Sequence, residues 1–216
     1  MKYQKNIEYD SIGVNNYWQY YCHIYMNKLK KDGRKLRSES TADHILNTAI
    51  KIARKGNIDN MSFNSIAKEA NIGTRTIFRH FKDQEALQEN LDQKLEEEFI
   101  HSFSTINGDD TLENRIKNVC VTLILLYTKN QNIIRWTLRN VWRDKNLRKN
   151  MFSWNQTLRN FVYSILPEIQ EKTKPEREII FECMSFVFFL RLNVVQGLNE
   201  DQIKEIFILN TRKYLS

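Results

Sequence analysis

The sequence predicts an all-α protein, and three observations carry the prediction. Only 2 prolines and 6 glycines occur in 216 residues, too few breakers for a fold built from many short strands and turns. Apolar residues recur at i, i+3, i+4 and i+7 in one segment after another, which is the period of an amphipathic helix. Hydrophobic residues make up 41% of the chain and aromatic residues 12%, enough to build a core in one large domain or two small ones.

Residues 1–13 carry no pattern. From Val14 to Leu29 the apolar positions 14, 17, 18, 21, 25 and 29 keep helical spacing, predicting an extra helix rich in aromatics ("YWQYYCHIYM"). It leads into a basic stretch, "KLKKDGRKLR". Residues 1–37 are therefore read as an N-terminal extension made of an aromatic helix and a basic arm. The helix covers an apolar face of its own protomer in the simplest reading; the alternative is an extension that wraps DNA or forms oligomers. The arm serves either as a solvated charge run or as a contact to phosphates or a minor groove.

The next helix has Ser40 and Asp43 as a capping pair, then Ala42, Ile45, Leu46, Ala49, Ile52 and Ala53 at helical spacing. Lys51, Arg54 and Lys55 fill its last turns, where the helix dipole favours cations, and Gly56 stops it. Ser62 is a suitable N-cap for a second, short helix whose apolar stripe is Phe63, Ile66, Ala67 and Ala70. Asn71 stands where the chain must turn sharply, and asparagine is the side chain that best tolerates left-handed backbone after glycine. A third helix follows in "NIGTRTIFRHFKD". At ~100° per residue, Ile77 and Phe81 share one face, while Arg75, Arg79 and Lys82 fall opposite. Two short helices around a tight turn, the second anchored on one side and offering donors on the other, form the helix-turn-helix pattern.

Asp83 is expected to cap a long helix running to about Phe103. "NGDD" breaks it, and Asp110 with Glu113 suggests a capping box for a helix to about Lys129. Further helices are expected near 132–145, 151–165, 176–197 and 200–215, with Pro167 and Pro175 bracketing the connector before the penultimate one.

The net charge is +7 with a pI near 9.2, and its distribution is uneven. Residues 28–82 hold 13 Lys+Arg against 5 Asp+Glu, whereas residues 91–216 hold 18 against 16. The excess gathers around the helix-turn-helix, which suits a polyanionic partner. Cys22, Cys120 and Cys183 are odd in number and far apart, so a reducing compartment is expected rather than a disulfide framework. His23, His44, His80 and His101 show no metal-ligand spacing, and no cofactor is expected. The first residues carry no apolar signal region. The longest apolar runs, "VCVTLILLY" and "FVFFL", fall short of the ~20 residues of a membrane span. A cytoplasmic protein is expected. No Ser/His/Asp set, phosphate loop or paired-carboxylate constellation suggests an enzyme.

The stretch "TADHILNTAIKIARKGNIDNMSFNSIAKEANIGTRTIFRHFKDQEAL" resembles the N-terminal DNA-binding domain of TetR-like (TetR/AcrR) transcriptional regulators. The match covers residues 41–87; beyond them only the run of helices and the length agree. The resemblance implies a DNA-binding domain at 38–87 and a helical effector-binding and dimerisation domain of antiparallel helices at 88–216. It assigns DNA contacts to Ser62 and Asn64, to Thr74, Arg75 and Thr76 at the start of the recognition helix, and to Phe78, Arg79, His80 and Lys82. Three positions depart from the family pattern: Gln84 stands for a phosphate-binding lysine, Phe78 for a tyrosine, and Asn71 for a glycine. The resemblance further implies a homodimer through the two C-terminal helices, a palindromic DNA operator, and repression relieved by a small molecule.

The residue mix of the second domain suggests where a mostly apolar effector would sit, with Cys120, Trp136, Arg139, Asn140 and Trp154 as the candidate lining. In the blander reading Arg135, Arg139 and Arg143 form a solvated stripe, Trp136, Phe152, Trp154 and Phe161 are core, and Cys120 and Cys183 are small buried hydrophobes. The rival function is a helical ligand-binding or assembly protein whose helix-turn-helix serves protein contacts.

Overall fold

The computed structural model describes residues 33–215, with side chains from residue 38. The chain divides into two compact units, Met1–Thr41 and Ala42–Ser216. The expected aromatic helix at 14–29 lies outside the described residues. Among the described residues every element is helical and none is a strand.

Helix α1 spans Gly33–Arg54. It begins within the basic arm and runs through Ser40 and Asp43, so the expected cap there is not formed. Arg34, Lys35, Leu36 and Arg37 are good helix formers with no breaker among them, and they carry the helix toward the N-terminus. Gly56 ends the segment at φ +88°, and its amide reaches the Ala53 carbonyl at 2.9 Å. A short 3-10 turn, Ile58–Asn60, leads to α2, Phe63–Ala70, and α3, Thr74–His80. α4 runs Gln84–Ser104, with Asp83 Oδ1 accepting from the Ala86 amide at 2.8 Å.

α5, Leu112–Asn140, is one continuous helix, where the sequence suggested a break near 129–132. Polar residues there made the pattern look interrupted, but no glycine or proline interrupts the backbone. Two of them have partners on another helix: Asn130 Oδ1 accepts from Arg54 Nε at 3.0 Å, and Asn132 Nδ2 donates to the Arg54 carbonyl at 2.8 Å. The N-cap of α5 is Thr111, not Asp110. Thr111 Oγ1 accepts from the Asn114 amide, while Asp110 receives the Thr111 amide and Glu113 pairs with Arg212.

α6 spans Lys145–Ile165, and a 3-10 turn Pro167–Glu171 leads to α7, Lys174–Cys183. The expected single helix at 176–197 is broken. α7 stops at Cys183, Ser185 caps the short α8 (Phe186–Leu190), and a π turn covers Arg191–Val195. The break is held by the Tyr127 hydroxyl, which donates to the Met184 carbonyl at 2.8 Å, and by Ser185 Oγ, which accepts from the Phe188 amide at 3.1 Å. α9, Glu200–Leu215, closes the chain.

Two apolar clusters organise the second unit. The first joins Ile45, Ala49 and Ile50 of α1 with Phe63 and Ile66 of α2, Ile77 and Phe81, and Leu87 and Leu91 of α4. The second gathers Phe103, then Ile116, Val119, Cys120 and Leu123 of α5, Val162 and Ile165 of α6, Ile180 of α7, Phe189 of α8, and Ile203 and Phe207 of α9. Arg115 ties the second cluster together at one end. Its guanidinium grips Glu168 in a fork (2.5 and 3.0 Å) and donates to the Ile165 and Asp110 carbonyls. α4 contributes to both clusters and is the shared beam. Among the described residues, no helix is long and apolar enough to cross a membrane, and no group of three or more His, Cys, Asp or Glu could hold a metal ion.

Candidate nucleic-acid interface

The first cluster exists to hold α3 still. α2 starts in a reciprocal cap: Ser62 Oγ accepts from the Ser65 amide, and Ser65 Oγ accepts from the Ser62 amide at 2.8 Å. It ends in a Schellman motif at Asn71, which sits in left-handed backbone at φ 53°, ψ 45°. The Ile72 amide reaches the Ala67 carbonyl at 3.0 Å and the Asn71 amide reaches the Lys68 carbonyl, satisfying carbonyls that a helix end leaves open. The chain then enters α3 at Gly73. Thr74 Oγ1 donates to Asn64 Oδ1 at 3.2 Å, stapling the starts of α2 and α3 together.

Ile77 is fully buried and Phe81 nearly so, so the expected anchor is formed. Arg75 and Arg79 are exposed on the other side of the helix. Lys82 is also exposed, but α3 ends at His80 and Phe81 is extended (φ −128°, ψ 115°). Lys82 therefore does not continue the arginine stripe as a helical wheel suggested. Phe78 is 57% exposed and lies edge-on against Phe63 at 4.8 Å between ring centroids. His80 turns Nε2 into the domain, where it has no hydrogen-bond partner among the described residues. Burial, with the neighbouring Arg79, holds its imidazole below the ordinary histidine value. Thr74, Thr76 and Ser62 are half-buried, and Asn64 is exposed. These nine side chains lie on α2, α3 and the residues flanking them.

Contacts from α1 and α4 set the angle of the pair. His44 Nε2 meets the Ala70 carbonyl at 3.1 Å. Lys51 and Lys55 flank Glu69 at 3.3 and 3.5 Å; the hydrogen bond from Lys51 and the charge of Lys55 hold the Glu69 carboxyl below its usual value. Gln84, one of the departures from the family pattern, donates Nε2 to the Met61 carbonyl at 3.3 Å. It braces the turn ahead of α2. That use was not legible in the sequence, because it depends on where α4 begins relative to Met61.

The five residues expected to line an effector site are not brought together. Cys120 is fully buried in the second core against Thr211, and burial pushes its thiol up to about 12. Trp154 packs edge-on against Phe99. Asn140 Nδ2 donates to the Trp136 carbonyl of its own helix at 2.8 Å. Trp136 and Arg139 do meet, in an open cleft of about 490 Å³ shared with Gly56 and Leu190. Phe152 is exposed rather than core, and Trp142 is exposed too. What sequence reasoning missed is Asp59. Trp136 Nε1 donates to its carboxylate at 2.6 Å and Arg139 lies at 3.7 Å.

Comparison with known proteins agrees with this geometry. Residues 45–91 match the family model of bacterial regulatory proteins of the tetR family. An HTH-type transcriptional regulator of Staphylococcus aureus strain USA300 is 25% identical over 162 residues, covering 74% of this chain and 84% of that protein. Another, from the bovine strain RF122, is 33% identical over 79 residues, 37% of this chain and 43% of that one. Among solved structures, a protein described as a TetR-family transcriptional regulator from Rhodococcus sp. superposes with a TM-score of 0.64 at 15% identity, over 81% of this chain and 98% of its own. One from Mesorhizobium loti gives 0.63 at 14% identity, over 83% and 96%.

Proposed function

We propose, for a chain that belongs to the TetR-like transcriptional regulators, that it binds duplex DNA as a homodimer and represses transcription until a small molecule releases it. The observation that carries the DNA-binding reading is α3 itself: seven residues bolted down by Ile77 and Phe81, with Arg75 and Arg79 standing free on the far side. A short, rigid helix with outward arginines fits the major groove, where a guanidinium can grip guanine O6 and N7.

Thr74, Arg75, Thr76 and Arg79 are the readers in this proposal. Ser62, Asn64, Phe78 and Lys82 lie along the phosphates. His80, with Nε2 turned inward, has the least of the nine to offer DNA. The domains are then 38–87 for DNA and 88–216 for effector and dimer, with residues 1–37 as an extension. The setting is cytoplasmic and the role non-catalytic. Exposed apolar side chains on the last helices, Ile179, Val187, Val195 and Leu209, support dimerisation through that end.

The test is selection of bound duplexes from a genomic DNA pool, followed by affinity measurements at several salt concentrations. A palindromic site bound with a steep salt dependence supports the reading. Recovery of no duplex above background would favour the rival, a helix-turn-helix that docks protein.

A further inference from the structure

The cleft beside Asp59 has the composition of an anion site, with the protein's own carboxylate at its edge. Its apolar floor is Leu138 and Leu190, and its rim carries Arg135, Trp136 and Arg139. Both arginines are exposed, and among the described residues Arg139 has only the distant Asp59 at 3.7 Å. No acid lines the cleft itself. Asp59 reaches in from the rim, with its side chain 67% exposed, on a 3-10 turn of three residues. The Trp136 indole N–H and the Arg139 guanidinium thus meet one exposed carboxylate, with Arg135 beside them on the cleft. A volume of about 490 Å³ is within the range of roughly 300–1,000 Å³ that small-molecule sites occupy.

The geometry points to a binding site for a small aromatic carboxylic acid, which displaces Asp59 from Trp136 and Arg139. The ligand's carboxylate takes the Trp136 N–H and the guanidiniums, and its ring lies on the leucine floor. This names the effector class and rests on the regulator reading above. The consequence follows from where Asp59 sits. The Ile58–Asn60 turn lies two residues ahead of Ser62, the cap of α2. Detaching Asp59 from α5 removes one tie on the turn ahead of α2, the Gln84 bond to the Met61 carbonyl being another. By reciprocity, a ligand that needs the detached turn binds less well when DNA holds the turn in place.

The probe is 1-naphthoate, with neutral 1-naphthamide as its isostere, titrated into the full chain by calorimetry without DNA. The acid is expected to bind about tenfold more tightly than the amide, because charged hydrogen bonds roughly double neutral ones in strength. Arg139→Ala should weaken the acid by about tenfold, and Asp59→Ala should tighten it several-fold by removing the internal competitor. Circular dichroism verifies that each variant folds; both positions are exposed, so they should. Equal binding of acid and amide, indifference to both substitutions, or no binding at millimolar acid overturns the site. The two readings fail separately. Protein that binds its operator but not the acid refutes the site alone, and protein that binds the acid but no DNA refutes the regulator alone.

Discussion

Arg54 Nη2 donates to Glu98 Oε2 at 2.7 Å, joining the last turn of α1 to the middle of α4. Both side chains are less than a third exposed. Lys129 of α5 reaches the other Glu98 oxygen, and Arg54 Nε reaches Asn130. One carboxylate thus collects cations from two helices, and one arginine touches both α4 and α5. Burial works to raise the Glu98 carboxyl, but the hydrogen bonds from Lys129 and Arg54 outweigh it and hold it below the usual value. A carboxyl depressed in the folded state stabilises above its unfolded value, and that stabilisation is lost as pH falls through the folded one. Glu98→Gln should cost about 1–3 kcal/mol near neutrality. The gap between variant and wild type in chemical denaturation should close as pH drops below about 4. A gap that persists unchanged at acid pH would refute the ionic account.

Two carboxyls on the same helix behave the opposite way. Asp92 and Glu96 face α6, where they meet Asn150 and Thr157. Burial is the main cause that raises both. An acid whose folded value is raised destabilises at neutral pH, and the penalty disappears as pH falls below its unfolded value. Glu96→Gln should therefore raise the melting temperature at pH 7 and leave it unchanged near pH 4. A lower melting temperature at pH 7 would mean that the negative charge has a partner that outweighs its desolvation.

For DNA, Arg75→Ala should weaken operator affinity by roughly 1–3 kcal/mol if the guanidinium reads a guanine, and the loss should be confined to the operator. If Arg79 contacts only phosphate, Arg79→Ala should weaken every duplex alike and flatten the salt dependence by about one ion. Fluorescence anisotropy on operator and scrambled duplexes separates the two. Unchanged affinity in both variants, with the fold intact, would remove α3 from the interface.

These residues were legible in the sequence because their signals are local. Ser62, Asn71 and Asp83 act within four residues of themselves, through caps and a turn, and Ile77 and Phe81 share a helical face four residues apart even though the core they enter is not local. The breaks were less legible. Tyr127 and Ser185 together stop the helix at Met184, and the first is 57 residues away. The position of Asp59 and the bracing contact of Gln84 were invisible because their partners, Trp136 and the Met61 carbonyl, depend on tertiary placement. The expected effector set failed to assemble for the same reason: composition places aromatics in a segment but cannot say which side of α5 each one faces.

Asn71 offers a test of backbone strain apart from any contact with DNA. It is the non-glycine residue with positive φ among the described ones, and left-handed backbone costs an ordinary side chain roughly 1–2 kcal/mol. Asn71→Ala should destabilise by about 1 kcal/mol, while Asn71→Gly should be neutral or stabilising despite the entropy glycine adds to the unfolded chain. Equal melting temperatures for the alanine and glycine variants would show that the turn can relax out of this conformation.

The dimer is best tested where the structure separates surface from core. Phe188 stacks on Phe207 at 5.8 Å between centroids and is only partly exposed, so a charge there attacks the fold before any interface. Val187 and Val195 are 53% and 70% exposed, on the outer side of α8 and the turn after it. α9 buries Ile203, Phe207 and Thr211 and leaves Leu209 57% exposed. A row of large apolar side chains left open on the last helices is what a self-complementary two-fold interface would cover. Val195→Glu should leave the melting curve of the protomer nearly unchanged, because no core contact is lost. It should raise the dimer dissociation constant at least about thirtyfold, equivalent to about 2 kcal/mol for an unpaired buried charge. Sedimentation across a concentration series reads this directly. Operator binding should fall with it, since a monomer holds one half-site and forfeits the second recognition helix. A Val195→Glu protein that sediments as a dimer and binds its operator normally would place the interface elsewhere. Wild-type protein that is monomeric at micromolar concentration would remove the two-fold mechanism altogether.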